Sequence, residues 1–289
     1  MKEYGARIRL SEEEVEHIFA RRQGFVAPPT HGKAPKVLVF DLETAPIAAY
    51  VWDLWKDTSG VQGVVNDWFA ICWAAKWLFN DKILSDCVTP QEAIEEDDSN
   101  IMASLWKLID EADILIGHNI NRFDCKRINT RFIVHGLQPP SPYQTIDTLV
   151  AAKKHFSFSS NKLDYINEQL GIGRKVDTGG FKLWKRCLAG DPKALDDMLK
   201  YCEVDVGISE ETYVALRPWI KSHPNMGLYV DTDVPVCPTC GDENLISVGK
   251  YRTTVSEFMA FRCAACGAIG RYTSGSRKKF KIRTQSVAR

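Results

Sequence analysis

The stretch Val37-Leu-Val-Phe-Asp41-Leu-Glu43-Thr44 decides how the rest of the chain is read. Four apolar residues end abruptly in two carboxylates one residue apart. Such a run reads as a buried strand, about 36–43, with Asp-x-Glu-Thr at its C-terminal end. Residues two apart in a strand point to the same face, so Asp41 and Glu43 aim side by side. Like charges held that close repel unless a cation sits between them or one carboxyl is protonated. Hard divalent cations such as Mg²⁺ suit such oxygen ligands. Two solvated acids at a surface strand end would leave the same eight letters, so the decision falls to the rest of the chain.

The chain has 289 residues, enough for one large domain and a small one, and its 45% hydrophobic and 26% charged content is that of a soluble globular protein. No apolar run approaches the ~20 residues of a membrane span, and the first residues hold no signal-peptide core, so a cytoplasmic, intracellular protein is expected (host cytoplasm if the source is viral). The net charge of zero hides an asymmetry. Residues 231–289 carry 10 Lys+Arg against 5 Asp+Glu, which leaves 27 against 32 for residues 1–230. An acidic body with a basic appendage suits a metal-binding body and a polyanion-binding tail, although a tail kept for solubility would show the same charge. Of nine cysteines, four form two Cys-x-x-Cys pairs; Cys72, Cys87, Cys125, Cys187 and Cys202 are scattered among apolar neighbours and read as reduced packing residues.

Residues 1–35 read as an arm and linker, with one short helix at Ser11-Glu-Glu-Glu-Val-Glu-His-Ile-Phe-Ala-Arg-Arg and a capping box of Ser11 and Glu14. Strands are expected at 68–79 and 82–88, forming a meander with the first, and at 113–117 and 143–146. Helices are expected at 101–110, 122–135, from Asp147, at 161–170 ending on Gly171, and at 192–219. The acidic run 95–98 reads as a solvated loop, and 171–180 as a flexible one. This order makes an α/β architecture, a mixed sheet with helices on both faces.

Two further carboxylates stand in distinctive places. Asp124, in Gly117-His-Asn119-Ile-Asn-Arg-Phe123-Asp124, opens a helix after an apolar strand, at the edge where α/β sheets bind ligands. A helix-capping role would suit an isolated Asp there equally well. Asp205 lies four residues after Tyr201 and so shares a helix face with it. Asp147 reads as a helix cap and His118 as a turn residue.

Together these segments resemble the three motifs of DEDD-type 3′→5′ exonucleases. The tyrosine four residues before the last Asp, with Lys200 where the other subtype needs histidine, marks the tyrosine subtype. The Asn119-Ile-x-x-Phe123-Asp124 form is similar to the proofreading domain of family B DNA polymerases, and Asn161-Lys-Leu-Asp-Tyr-Ile and His223-Pro-Asn look similar to stand-alone exonucleases of bacteriophage replication modules. The resemblance covers about residues 36–220. It implies an RNase H-like fold, a five-stranded sheet with one antiparallel strand, and a two-metal mechanism using Mg²⁺ or Mn²⁺. It implies Asp41, Glu43, Asp124 and Asp205 as metal ligands, Asp41 bridging both ions. It implies Tyr201 as the residue orienting the attacking water, and Leu42, Thr44, Asn119 and Phe123 as contacts of the terminal nucleotide. For Phe123 a plain core aromatic is the equal alternative.

Near the C-terminus, Cys237-Pro-Thr-Cys240-Gly and Cys263-Ala-Ala-Cys266-Gly lie 22 residues apart. Four thiolates so spaced fit one structural Zn²⁺, and short strands at 245–248, 251–255 and 258–262 would complete a zinc ribbon. The cations and aromatics from Arg271 onward suit phosphates and bases. The expected divisions are an arm at 1–35, an RNase H-like exonuclease domain at 36–230, a zinc ribbon at 231–272 and a basic tail at 273–289. The expected function is a metal-dependent exonuclease on single-stranded or frayed DNA, in replication, proofreading or repair, with ribbon and tail gripping nucleic acid. The alternatives are an exoribonuclease or structure-specific nuclease on the same scaffold, or a catalytically silent module that binds nucleic acid or tethers a polymerase or replisome protein.

Overall fold

A computed structural model describes residue 11 and residues 35–52, 60–173, 179–230, 232, 234–254 and 256–276. The arm helix at Ser11 and the tail beyond 276 lie outside the described residues, as does the centre of the 171–180 loop. The chain divides into two compact units, Met1–Leu216 and Arg217–Arg289, so residues 217–230 group with the cysteine module rather than with the body.

The first unit holds β1 (Val37–Thr44), β2 (Ala48–Tyr50), β3 (Gly63–Asn66), β4 (Ala70–Trp77), β5 (Ile83–Cys87), α1 (Pro90–Glu95), α2 (Ser99–Glu111), β6 (Ile114–Gly117), α3 (Asp124–Val134), β7 (Gln144–Asp147), α4 (Thr148–His155), α5 (Leu163–Leu170), α6 (Phe181–Leu188) and α7 (Pro192–Leu216). Its main sheet has the order β5-β4-β1-β6-β7. β4 runs antiparallel to β1 and β5, while β6 is parallel to β1 and to β7, so β4 is the one reversed strand. This is the expected mixed five-stranded sheet. The apolar letters of β1 are buried: Leu38, Val39 and Phe40 are almost wholly excluded from water.

Period-2 alternation assigns each strand residue to a helix layer. Trp73 points to α2, its indole N–H donating to the Ile101 carbonyl at 2.8 Å. Asp86, opposite Trp73, accepts from Ser104 of α2 at 2.8 Å. On the other face Ser85, opposite Ala74, donates to Glu203 of α7 at 2.7 Å, and Lys76 pairs with Glu210 of the same helix. These buried polar pairs fix the register of α2 and α7 on the sheet, because sliding either helix would strand a charge or a donor away from water. α7 runs unbroken through Gly207.

One local expectation needs correction, and two features lie where no element was expected. Residues 95–98 are a solvated loop only in part: Glu95 and Asp97 are exposed and Glu96 half-buried, but the fourth acid is not solvated. Glu95 ends α1, a helix opened by a Thr89–Glu92 capping box, and Asp98 is wholly buried. Asp98 accepts from the Ala70 amide at 2.7 Å, from both Nε and a terminal nitrogen of Arg131, and from His135. The segments around Tyr50 and Gly63 pair as the small ribbon β2–β3. Phe181–Leu188 forms α6, packed beside α7, where the sequence pattern assigns no element.

In the second unit β8 (Leu245–Arg252), β9 (Glu257–Cys263) and β10 (Ile269–Ser276) form an antiparallel sheet of order β10-β9-β8. The two strands expected at 245–248 and 251–255 are one. Gly249, at φ 95°, sits where the register shifts between Ser247 and Lys250, so the irregularity bends the strand without ending it. The third strand is β10, which the cation count had assigned in large part to a tail; its backbone is paired along β9.

Candidate functional site

Asp41 and Glu43 share with Cys72 and Ala74 the face of the sheet that α7 covers, because Asp41 pairs with Ala74 and Glu43 with Cys72. α7 brings Asp205 to the same place. Ligand oxygens of Asp41, Glu43 and Asp205 all lie within 4.8 Å of one another. Tyr201 is one turn earlier on α7 and half-buried. Between the two, the buried thiol of Cys202 donates to the Asp41 carbonyl at 3.5 Å and to its carboxylate at 3.7 Å. Burial above all, and then the carboxylates of Asp41, Glu43 and Asp205, push this thiol well up, so it remains a protonated donor. All five scattered cysteines are buried and free, as packing residues should be.

Asp124 lies outside that 4.8 Å cluster, at the start of α3 after β6, the parallel neighbour of β1. The turn between β6 and α3 is tight. Asn119 adopts a left-handed backbone, φ 69°, and its carbonyl accepts from the amides of Arg122 and Phe123 at 3.1 and 3.0 Å. Gly117 leaves room for Ile120, whose side chain a Cβ would meet at 3.1 Å. Asp147 pins this turn to α4. Its carboxylate accepts the amides of Asn119 and Asn121, at 3.1 and 3.3 Å, and those of Leu149 and Val150, at 3.0 and 3.1 Å. With four amide partners it is a double cap, the structural role expected for it and more. His118 bridges Thr148 and the Asn161 carbonyl, each at 2.9 Å, and so is a turn residue; because a carbonyl only accepts, Nε2 carries the proton there.

The Asp124 side chain itself is differently placed. It is 3% exposed, and its Oδ1 has no hydrogen-bond partner among the described residues. Burial first, then the charges of Asp41 and Asp147, raise its carboxyl well above the usual range. A buried oxygen with no donor, close enough to Asp41 to feel its charge, suits either a protonated carboxyl or a ligand of a hard dication. Asp41, Glu43 and Asp205 could thus hold a metal ion, and the donor-free oxygen of Asp124 is compatible with one.

Phe123 is not a core aromatic: it is 36% exposed at the mouth of this turn. The Arg127 guanidinium lies 4.4 Å from its ring and 4.4 Å from that of Trp68, forming a three-layer stack that no spacing in the sequence announces. Leu42 is buried and Thr44 half-buried beside the carboxylates, where β1 carries a bulge between Glu43 and Thr44.

In the second unit, Sγ atoms of Cys237, Cys240, Cys263 and Cys266 lie within 4.8 Å of one another. The Cys237–Cys266 and Cys240–Cys263 pairs are 3.7 and 3.5 Å apart. That is too far for disulfides, which need about 2 Å, and close to the roughly 3.8 Å between sulfurs around a tetrahedral Zn²⁺. Gly241 and Gly267, both left-handed, donate back to the carbonyls of Cys237 and Cys263 at 2.7 and 3.0 Å, closing each knuckle. The cluster is compatible with zinc.

Residues 80–216 match the family model of the RNase_H superfamily. The fold is RNase H-like. The matched segment includes Asp124 and Asp205 and begins after β1. Among curated proteins, Protein NEN1 of Arabidopsis thaliana is 33% identical over 110 residues, 36% of this chain and 24% of that protein. Protein NEN3 of the same plant is 51% identical over 43 residues, 15% of this chain and 8% of that protein. The chain thus spans about a quarter of the first relative and less than a tenth of the second. Among the described residues no helix is long and apolar enough to cross a membrane.

Proposed function

We propose that this chain is a metal-dependent nuclease of the tyrosine DEDD type that hydrolyses DNA from the 3′ end to 5′-mononucleotides, in replication, proofreading or repair. The observation that carries the reading is the convergence of Asp41, Glu43 and Asp205 beside a buried Asp124 whose Oδ1 has no donor. Bound divalent cations would supply charge neutralisation at the scissile phosphate and activation of a water. The chain's own groups do the rest. Asp41, Glu43, Asp124 and Asp205 hold the cations and set their place relative to the strand end. Tyr201, one turn from Asp205, donates or accepts a hydrogen bond that orients the water; a phenol with a pKa of about 10 is too weak a base to deprotonate it at neutral pH. The Asn119 turn and the half-exposed Phe123 ring hold the terminal nucleotide, and the Arg127–Trp68 stack keeps that ring from turning away. The four cysteines hold one Zn²⁺ that closes the small sheet, which metal analysis of the purified chain would read as one zinc per molecule.

The deciding experiment uses matched 5′-labelled DNA and RNA oligonucleotides with Mg²⁺ or Mn²⁺, wild type beside Asp205→Ala. A ladder shortening from the 3′ end on DNA, absent in the variant, is the expected result. A ladder on RNA alone would transfer the same mechanism to an exoribonuclease, and internal cuts would replace it with a structure-specific endonuclease. No cleavage by folded protein in either metal would overturn the catalytic reading.

A further inference from the structure

The three-stranded sheet of the second unit has two unlike faces. Leu245 and Cys263, which pair across β8 and β9, pack into the cysteine cluster and mark one face. Alternation places Phe261 and Glu257 on that same side, where Phe261 is buried. The opposite face carries Ile246, Tyr251, Phe258, Arg262, Ile269 and Arg271. Register confirms the grouping: Tyr251 lies opposite Phe258, and Arg262 opposite both Ile246 and Ile269. Tyr251 is 51% exposed, Ile246 56% and Ile269 61%.

Two properties of this face point to a ligand. The first is its charge. Glu257 is the only carboxylate on the three strands, and it lies on the other side, held by Lys250 at 2.8 Å and Arg252 at 3.0 Å. Arg262 and Arg271 therefore stand on a face to which the three strands contribute no acid; Arg262 makes a long contact, 3.3 Å, to the Gly267 carbonyl. The second is the placement of the cation among rings. The Arg271 guanidinium sits 3.9 Å from the Phe258 ring and 5.1 Å from that of Tyr251. A cation held over a ring face keeps its N–H donors free for an anion while losing little freedom on binding. Exposed rings interleaved with fixed cations suit a strand whose bases are unstacked and whose phosphates are charged. A duplex hides its base faces and would use only the cations.

We propose that this face binds single-stranded nucleic acid, with bases stacking against Tyr251 and the Arg271–Phe258 pair and phosphates meeting Arg262 and Arg271. The proposal rests on the preceding section only for the class of ligand, since binding requires no hydrolysis. It is tested on the full chain carrying Asp205→Ala, without added divalent cations, by the fluorescence anisotropy of a labelled single strand, as DNA and as RNA, and of the corresponding blunt duplex, across a range of salt. Tyr251→Ala should weaken single-strand affinity roughly tenfold. Arg271→Ala should lower the slope of log affinity against log salt by about 0.7, the increment for one phosphate on a single strand. Tyr251→Phe should retain the affinity and Arg271→Lys the slope, which loss by misfolding would not allow. Both substituted side chains are exposed, so zinc content and thermal transition should match the parent. An unchanged affinity and slope in the Tyr251→Ala/Arg271→Ala double variant would overturn the proposal. So would a duplex bound as tightly as the single strand, or conservative variants that fail as fully as the alanines. A chain that never cleaves yet binds through this face would sink the exonuclease reading and leave this one standing.

Discussion

Asp98 and Asp124 lie equally deep in the first unit and have opposite surroundings. Asp98 is wrapped by Arg131, His135 and the Ala70 amide; burial pushes its carboxyl up, but these bonds outweigh burial and hold it below the ordinary value. Asp124 has an oxygen without a donor and two neighbouring aspartates, and its carboxyl is raised well above the ordinary value. Burial is common to both, so burial alone says nothing about role. A buried acid whose partners are built into the chain serves the fold, tying β4, α2 and α3 together. A buried acid without them is a cost to the fold that a proton, or a cation from outside, would relieve.

The largest test of this contrast is catalytic. Asp124→Asn should lower hydrolysis roughly 10³-fold or more, the scale expected when charge stabilisation at a reacting phosphate is lost. Single-turnover kinetics would measure it. Asp98→Asn, assayed at a temperature where it remains folded, should retain most of the rate, and an equal loss there would end the division of roles.

The next effect is on stability. Asp98→Ala should cost about 3–5 kcal/mol in urea unfolding, because Arg131 is left buried without its carboxylate. Asp124→Asn should act in the other direction, stabilising the metal-free protein by about 1–3 kcal/mol. Added Mg²⁺ should raise the melting temperature of the wild type more than that of this variant.

Acidification separates the two residues by sign. Asp98 stabilises the fold above the ordinary aspartate value of 3.8 and loses that contribution as pH falls through its lower folded value. Asp124 costs stability once pH rises above 3.8, and the full cost is reached only when pH passes its raised folded value. Between neutral pH and about 4, wild type should therefore close its deficit against Asp124→Asn while keeping its advantage over Asp98→Asn. The smallest effect concerns Cys202. Loss of its bonds to Asp41 in Cys202→Ala should reduce the rate by roughly 2- to 10-fold, the worth of one weak hydrogen bond, and Cys202→Ser should recover part of it.

Much of the site is legible in the chain because its spacings are local. Asp41 and Glu43 share a face by the period of a strand, and Tyr201 and Asp205 by the period of a helix. The five strands of the main sheet follow from apolar runs bounded by turns. Asp98 was illegible for the same reason in reverse. It sits last in four consecutive acids, and the groups that bury it, Arg131 and His135, come more than thirty residues later. The Trp68–Arg127–Phe123 stack likewise joins a residue before β4 to two flanking the start of α3. β10 was hidden by its own composition, since counting cations from Arg271 obscures a strand whose pairing partner lies across a cysteine knuckle.

Taken by itself, the sequence determined the carboxylates, the cysteine knuckles, and the order of the five main strands and of most helices between them. Those depend on hydrophobic period, turn chemistry and short-range ligand spacing, all properties of neighbouring residues. Only the tertiary structure decided which buried acid has donors, which aromatic is exposed, and which face of the small sheet gathers cations without acids. These depend on what approaches from distant parts of the chain, because hydrogen-bond satisfaction and local charge are set by contacts through space, whatever the order of residues along the chain.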